Sequence, residues 1–314
     1  MRRCALDVAP HVRSQASLRQ GVFHVAREDR RAGHAERLNC ATCRLRSRGT
    51  FYINRCLMNQ VYAIILRQFY LLKKSRARVF GLFYWSVLEL SIWGFITRYL
   101  HESGGAEFSF ATVFLGSIIF WNFISRAQHG MTVPFLEDVW SRNFVNMFAA
   151  PISVRIYALG LFATSMLTTV VSLSGMTVLA LLLFSYNIFQ FGFLLLPFIL
   201  VLFVFGATLG VVVIALIMRI GPHGELIAWS LPLLIMPISS AFHSVAALPA
   251  FLQPVARLIP TTYIFEGMRS VMLTGVMPPM TLLWAGVLTI VLLVAAIIFL
   301  ERSYKVVLVR GGSP

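Results

Sequence analysis

Residues 191–218 read FGFLLLPFILVLFVFGATLGVVVIALIM, 28 positions without a charged side chain. A helix needs about 20 mostly apolar residues to cross the hydrocarbon core of a bilayer. This stretch exceeds that length, so it tilts or continues past the membrane surface. On either side of it five further stretches qualify, at approximately 79–97, 108–125, 156–184, 225–242 and 281–300. The one at 225–242 is interrupted by Pro232 and Pro237. Membrane helices tolerate proline where neighbouring helices or Ser and Thr side chains repair the freed backbone groups. The expected fold is therefore an all-α membrane protein with six transmembrane helices.

Bulk composition agrees. The chain is 58% hydrophobic and 12% charged, with a mean hydropathy of +0.78, whereas soluble domains carry about 25% charged residues. The formal net charge of +15 resembles a nucleic-acid signal until it is divided. Residues 1–57 hold 12 arginines and 4 acids, and residues 58–314 hold 15 Lys plus Arg against 8 acids. The second balance is ordinary for a membrane protein with Lys- and Arg-rich cytoplasmic loops. No nucleic-acid partner is expected.

All four cysteines, Cys4, Cys40, Cys43 and Cys56, lie in residues 1–57. Cys40 and Cys43 form a CxxC with His34 nearby, but a zinc site needs a second ligand pair at suitable spacing. No metal site is expected. Composition changes abruptly at Met58, which is the expected native start. Residues 1–57 then read as a basic, disordered extension or translated upstream sequence, and residues 58–314 as the membrane domain.

Orientation follows from the cations. Arg67, Lys73, Lys74, Arg76 and Arg78 precede the first stretch. Arg126, Arg142 and Arg155 lie in the second connection, Arg219 in the fourth, and Arg302, Lys305 and Arg310 in the tail. The other side has Arg98, Arg257 and Arg269. With six spans both termini share one side, and the positive-inside rule makes it the cytoplasm. In residues 58–78, Val61, Ile64, Ile65, Phe69 and Leu72 recur at three- and four-residue spacing. They form either an interfacial helix, with its cations near anionic lipid head groups, or the cytoplasmic start of span one.

Between spans two and three lies FLEDVWSRNFVNMFAAPIS, residues 135–153. As a helix it places Leu136, Val139, Trp140, Phe144, Met147 and Phe148 on one face. Glu137, Asp138, Ser141 and Arg142 occupy the other, with Asp138 and Arg142 in the favourable acid-first i, i+4 order. Such a helix fits a groove on another protein or lies on the membrane surface.

Residues 243–280 are broken by Pro249, Pro254, Pro260, Pro278 and Pro279 and are too interrupted to span. They read as an outer re-entrant hairpin before span six. Its Glu266 and Arg269 are spaced to pair on one helix face, as a structural ion pair or as part of an outer gate. Glu89 is an acid well inside the first span, where a carboxylate usually faces the bundle interior or a watery path. It is protonated there, or paired with Arg98, Arg126 or a serine. A role on the transport path is open to it.

Three segments resemble the membrane-spanning subunits, or permeases, of type 2 ABC transporters, mainly bacterial exporters. LRQFYLLKKSRARVFGLFYWSVLELSIWGFIT, residues 66–97, looks like the family's cytoplasmic lead-in helix and first span. EDVWSRNFVNMFAAPIS looks like its connection between spans two and three, and PTTYIFEGMRSVMLTG, residues 260–275, like the segment before its last span. The resemblance covers roughly residues 60–305. It implies that residues 137–150 form or border a cytoplasmic coupling helix docking into a separate ABC ATPase. Apolar burial by Trp140, Phe144 and Phe148 would then combine with orientation by Glu137, Asp138 and Arg142. It further implies a second permease copy, most simply in a homodimer, and export of an amphiphilic or saccharide/lipid-type substrate across the bacterial cytoplasmic (inner) membrane. ATP and Mg would reside on the partner ATPase, with no cofactor bound directly.

The residues agree with a divided machine. The chain has three lysines, Lys73, Lys74 and Lys305, and no GxxxxGK[ST] phosphate loop, so it lacks the usual means of holding ATP. Two rivals differ in class. A gradient-driven secondary transporter or channel usually needs several intramembrane ionisable sites, and Glu89 is one. A membrane enzyme needs a catalytic centre, yet His101, His129, His223 and His243 are scattered over different segments.

Overall fold

The computed structural model describes residues 50–103, 108–141, 143 and 152–309, and every regular element among them is helical. The expectations for residues 1–49 lie outside the described residues. By internal contacts the chain divides into Met1–Asn59 and Gln60–Pro314, and the second unit holds the membrane domain.

The helices are α1 (Thr50–Lys74), α2 (Arg76–Glu102), α3 (Phe108–Trp140), α4 (Val154–Phe184), α5 (Leu195–Ile220), α6 (Glu225–Ile235), α7 (Gln253–Arg257), α8 (Pro260–Thr274) and α9 (Pro279–Val309). Ser153 starts α4 by accepting a hydrogen bond from the Ile156 amide at 3.3 Å, as N-cap serines do. Pro260 opens α8 and Gly275, at φ 73°, closes it, the usual proline-first and glycine-last asymmetry.

Four segments are long and apolar enough to cross a membrane: Arg76–Leu100, Val154–Phe184, Ile188–Ile220 and Pro279–Val307. They correspond to the first, third, fourth and sixth expected spans. The second falls in α3, whose 33 residues are ample in length. Its apolar run is diluted by Asn122, Arg126, Gln128 and His129. The fifth differs from expectation. Its helix, α6, ends at Ile235 after 11 residues, about 16 Å of rise, and turns occupy residues 236–240. Pro232 and Pro237 explain this, because each lacks a backbone donor. Residues 243–280 fold as a short 3-10 turn, α7 and α8, none long enough to span.

α1 is separate from α2, broken at Ser75. Ile64 and Gln68 on its buried face turn inward, and Ile64 fills the space over Gly160 of α4. Phe69, expected on the same face, is 56% exposed. α3 and α5 form the centre of the bundle. They approach closely at Gly206 and Gly210, a GxxxG spacing. A Cβ at Gly206 would collide with the Ile124 carbonyl, and one at Gly210 would lie 3.0 Å from Met131 Cβ. Small residues permit such approach where helices associate in lipid. Two apolar cores stack along α3 and α5. One gathers Phe120, Trp121, Phe198 and Phe265, and the other Met131, Phe135, Tyr157 and Ile214. The spanning window of α5 is 67% buried, against 17% in α2 and in α9.

Candidate functional site

The last turns of α3 carry the segment singled out in the sequence. Here α3 continues unbroken through Pro134 to Trp140, so residues 135–140 extend that helix and do not begin a new one. Leu136 and Val139 are buried in the second core and Trp140 is 48% exposed. Arg142, Phe144 and Phe148 lie outside the described residues.

Asp138 is not on an exposed polar face, as its sequence position suggested. It is 3% exposed, and its carboxylate accepts four hydrogen bonds. Arg67 of α1 donates from both terminal nitrogens, Nη1 to Oδ2 at 2.9 Å and Nη2 to Oδ1. Tyr157 of α4 donates its hydroxyl to Oδ2 at 2.6 Å, and Asn143 donates to Oδ1 at 3.3 Å. The bidentate guanidinium fork is the strong geometry for this pair. Buried charges persist when both partner and lone pairs are satisfied, and here they are. One carboxylate thereby ties α1, α3 and α4 together. The contact with Asp138 raises the pKa of Arg67, keeping its charge fixed.

Glu137 faces the other way and pairs with Arg78 at the start of α2, 3.0 Å apart. Partial burial raises its carboxyl above the ordinary glutamate range, opposed by Arg78. Around the same end Arg155 of α4 pairs with Glu301 of α9. Arg219 of α5 donates to Ser303 Oγ at 2.8 Å and lies 4.7 Å from the Phe299 ring. The cations that set the sequence-based orientation are thus in part the stitching between helices. Lys73, Lys74, Arg76, Arg302 and Lys305 remain exposed.

Higher on α3 is a second polar cluster. Asn122 donates to Glu89 Oε2 at 3.1 Å and to the Ile118 carbonyl, and accepts from Ser86 Oγ at 3.2 Å. Arg126 donates to Ser86 Oγ at 3.0 Å and to the Gly81 carbonyl at 3.4 Å. Ser172 of α4 donates to the Leu82 carbonyl at 2.5 Å. Glu89 therefore binds an amide; Arg98 is engaged with Glu102 at 2.7 Å.

Glu266 and Arg269 share a face of α8 but form no ion pair among the described residues. Glu266 accepts from the Val245 amide at 3.2 Å, and Arg269 donates to the Ser240 carbonyl at 2.8 Å. Each clamps the backbone of the broken segment that follows α6. That backbone turns through Ser240 at φ 54°, exposing groups that need partners. Sequence reasoning missed Arg67, Arg78, Asn122 and Tyr157 as site residues. Arg67 alone left a signal there, as a cation on the same face of α1 as Ile64 and Leu71.

No curated protein matches the chain. A family profile described as ABC-2 type transporter matches residues 59–273, a span containing α2 to α7, all but the last residue of α8, both polar clusters and most of α1. With more than half of its length matched, the chain belongs to the ABC-2 type transporter family, as a membrane-spanning permease.

Proposed function

We propose that the chain is the permease subunit of an ATP-driven exporter, with ATP and Mg held by a separate ABC ATPase docked at the connection after α3. The observation that carries this reading is the continuity of α3 from the bundle core to Trp140, with its end braced to α1, α2 and α4. A docked ATPase moves transmembrane helices only through a stiff element it touches, and α3 is that element. Trp140 would begin the docking face, with Phe144 and Phe148 continuing it and Arg142 orienting it.

In this reading the chain crosses the bacterial inner membrane six times with both termini in the cytoplasm. α6 and the turns after it form a broken fifth crossing, and residues 243–280 fold back on the outer side. Two copies pair, and an amphiphilic or saccharide/lipid-type substrate leaves the cytoplasm. The test is purification of the full chain in mild detergent after co-expression with its genetic neighbours. A stoichiometric ATPase that is lost in Trp140→Asp and Phe144→Asp supports the reading. Folded permease without ATPase would instead favour a gradient-driven transporter.

A further inference from the structure

Helix α6 is slung between two breaks in the chain. Before it, Gly221 at φ 78° ends the run of α5. After it, turns lead to Ser240 at φ 54°. Its 11 residues bury Ala228 and Pro232, while Leu226, Leu233 and Leu234 are 76%, 66% and 64% exposed. α6 is thus a short, thinly packed rod with a hinge-like residue beyond each end, and the contacts on its buried side decide where it sits.

One of those contacts follows from a proline. Pro232 has no amide to give, so the carbonyl four residues earlier, that of Ala228, loses its helical donor. In a membrane a freed carbonyl is satisfied from a neighbouring helix. Gln128 of α3 does this: its Nε2 donates to the Ala228 carbonyl at 3.0 Å and to Thr132 Oγ1 at 3.1 Å. Thr132 already donates its own hydroxyl to the Gln128 carbonyl at 2.9 Å, so both partners of Nε2 are acceptors and the amide orientation is fixed. Gln128 is fully buried, and its Oε1 has no hydrogen-bond partner among the described residues. Such an unpaired acceptor is costly; what the glutamine provides in that place is the donor to α6. On the next residue, the His129 ring packs on Trp229 with centroids 5.0 Å apart. Two successive residues of α3 therefore grip two successive residues of α6.

We infer that α6 is a half-helix able to leave and rejoin α3, and that the bond from Gln128 to the Ala228 carbonyl is its latch. With an amide of its own at position 232, α6 would satisfy that carbonyl wherever it stood. The proline hands the bond to α3, so the seat of α6 depends on where α3 stands. α3 is also the helix whose end is braced through Asp138, and a displacement of that end reaches the broken fifth crossing through Gln128. This last step rests on the proposed docking of an ATPase; the latch itself does not.

The test is hydrogen exchange of the α6 amides, read by mass spectrometry on the purified full chain in mild detergent without ATPase. Gln128→Met keeps the length of the side chain and removes the donor. It should speed exchange over residues 226–235 by about tenfold or more, the effect of leaving one buried carbonyl unpaired, while α9 stays unchanged. Pro232→Ala returns an amide to the ladder of α6 itself. In that background Gln128→Met should change exchange by less than about threefold, close to the scatter of additive effects. Where Gln128→Met alone does not fold, adding Pro232→Ala should restore folding, and failure to restore it overturns the assignment. Equal acceleration in both backgrounds, or none in either, overturns it as well, since Gln128 would then act through packing alone. With no ATPase present, the outcome is independent of whether one docks.

Discussion

Two polar clusters sit on the same helix and are built on opposite plans. At the end of α3 the Asp138 carboxylate meets Arg67 directly, and donors from Tyr157 and Asn143 complete its shell. In the middle of α3 the charges of Glu89 and Arg126 stand apart, linked through Asn122 and Ser86, with an unpaired histidine nitrogen one turn away. The first cluster is closed: nothing can be added without removing a partner. The second is open, with bonding capacity left over. A closed network makes a rigid joint between α1, α3 and α4. An open one holds its two charges apart on neutral links.

The largest loss belongs to Asp138. Asp138→Ala removes the acceptor of several hydrogen bonds at once, from Arg67, Tyr157 and Asn143, and is expected to cost more than the roughly 1.5–3 kcal/mol of one bond to a charged group. Thermal unfolding in mild detergent would show it as a large drop in Tm. Tyr157→Phe removes the hydroxyl's bond to the charged Asp138 and should cost about 1.5–3 kcal/mol. A double-mutant cycle on Arg67 and Asp138 measures the joint directly, with coupling of about 0.5–3 kcal/mol expected for residues in contact. Coupling near zero would mean that α1 is not joined to α3 through this carboxylate.

Much of the architecture was legible because hydropathy is additive along the chain: α2, α4, α5 and α9 follow directly from runs of apolar residues. The family was legible too, through the order of three weak segments. The ends and interruptions were not. α6 stops at Ile235 because proline disrupts a hydrogen-bond ladder locally, and a window average over 225–242 hides that. The polar site at the end of α3 is visible in the sequence, yet the burial of Asp138 is not. Helical periodicity separates polar from apolar positions, but it does not reveal that Arg67, 71 residues earlier, turns a buried carboxylate into a stable one. The same limit applies to Glu266 and Arg269: their i, i+3 spacing permits a pair, while the backbone at Ser240 and Val245 offers partners that only the fold brings near.

The open cluster should yield smaller changes. Glu89→Gln keeps a group able to accept from Asn122 and removes a charge that has no direct cationic contact, so its cost should stay within about 1 kcal/mol, near the net value of one ordinary hydrogen bond. A Tm loss approaching that of Asp138→Ala would mean that Glu89 and Arg126 act as one tight pair, and the contrast between the clusters would fail.

The smallest effect is a pH dependence at Glu137, between the clusters. Its carboxyl is raised by burial, so the folded chain holds this proton more tightly than the unfolded chain. The stability it contributes is fully present below the ordinary glutamate value of about 4.3 and is lost as pH rises through the raised folded value. Glu137→Gln removes that dependence while leaving Asp138 in place. Glu137→Gln should therefore exceed the wild type in Tm at pH 7, and the wild type should close that gap as the pH falls from neutral towards that value. The opposite slope would mean that attraction to Arg78 outweighs burial. Glu137 would then belong with Asp138 in the closed joint, and the end of α3 would be held by two ion pairs.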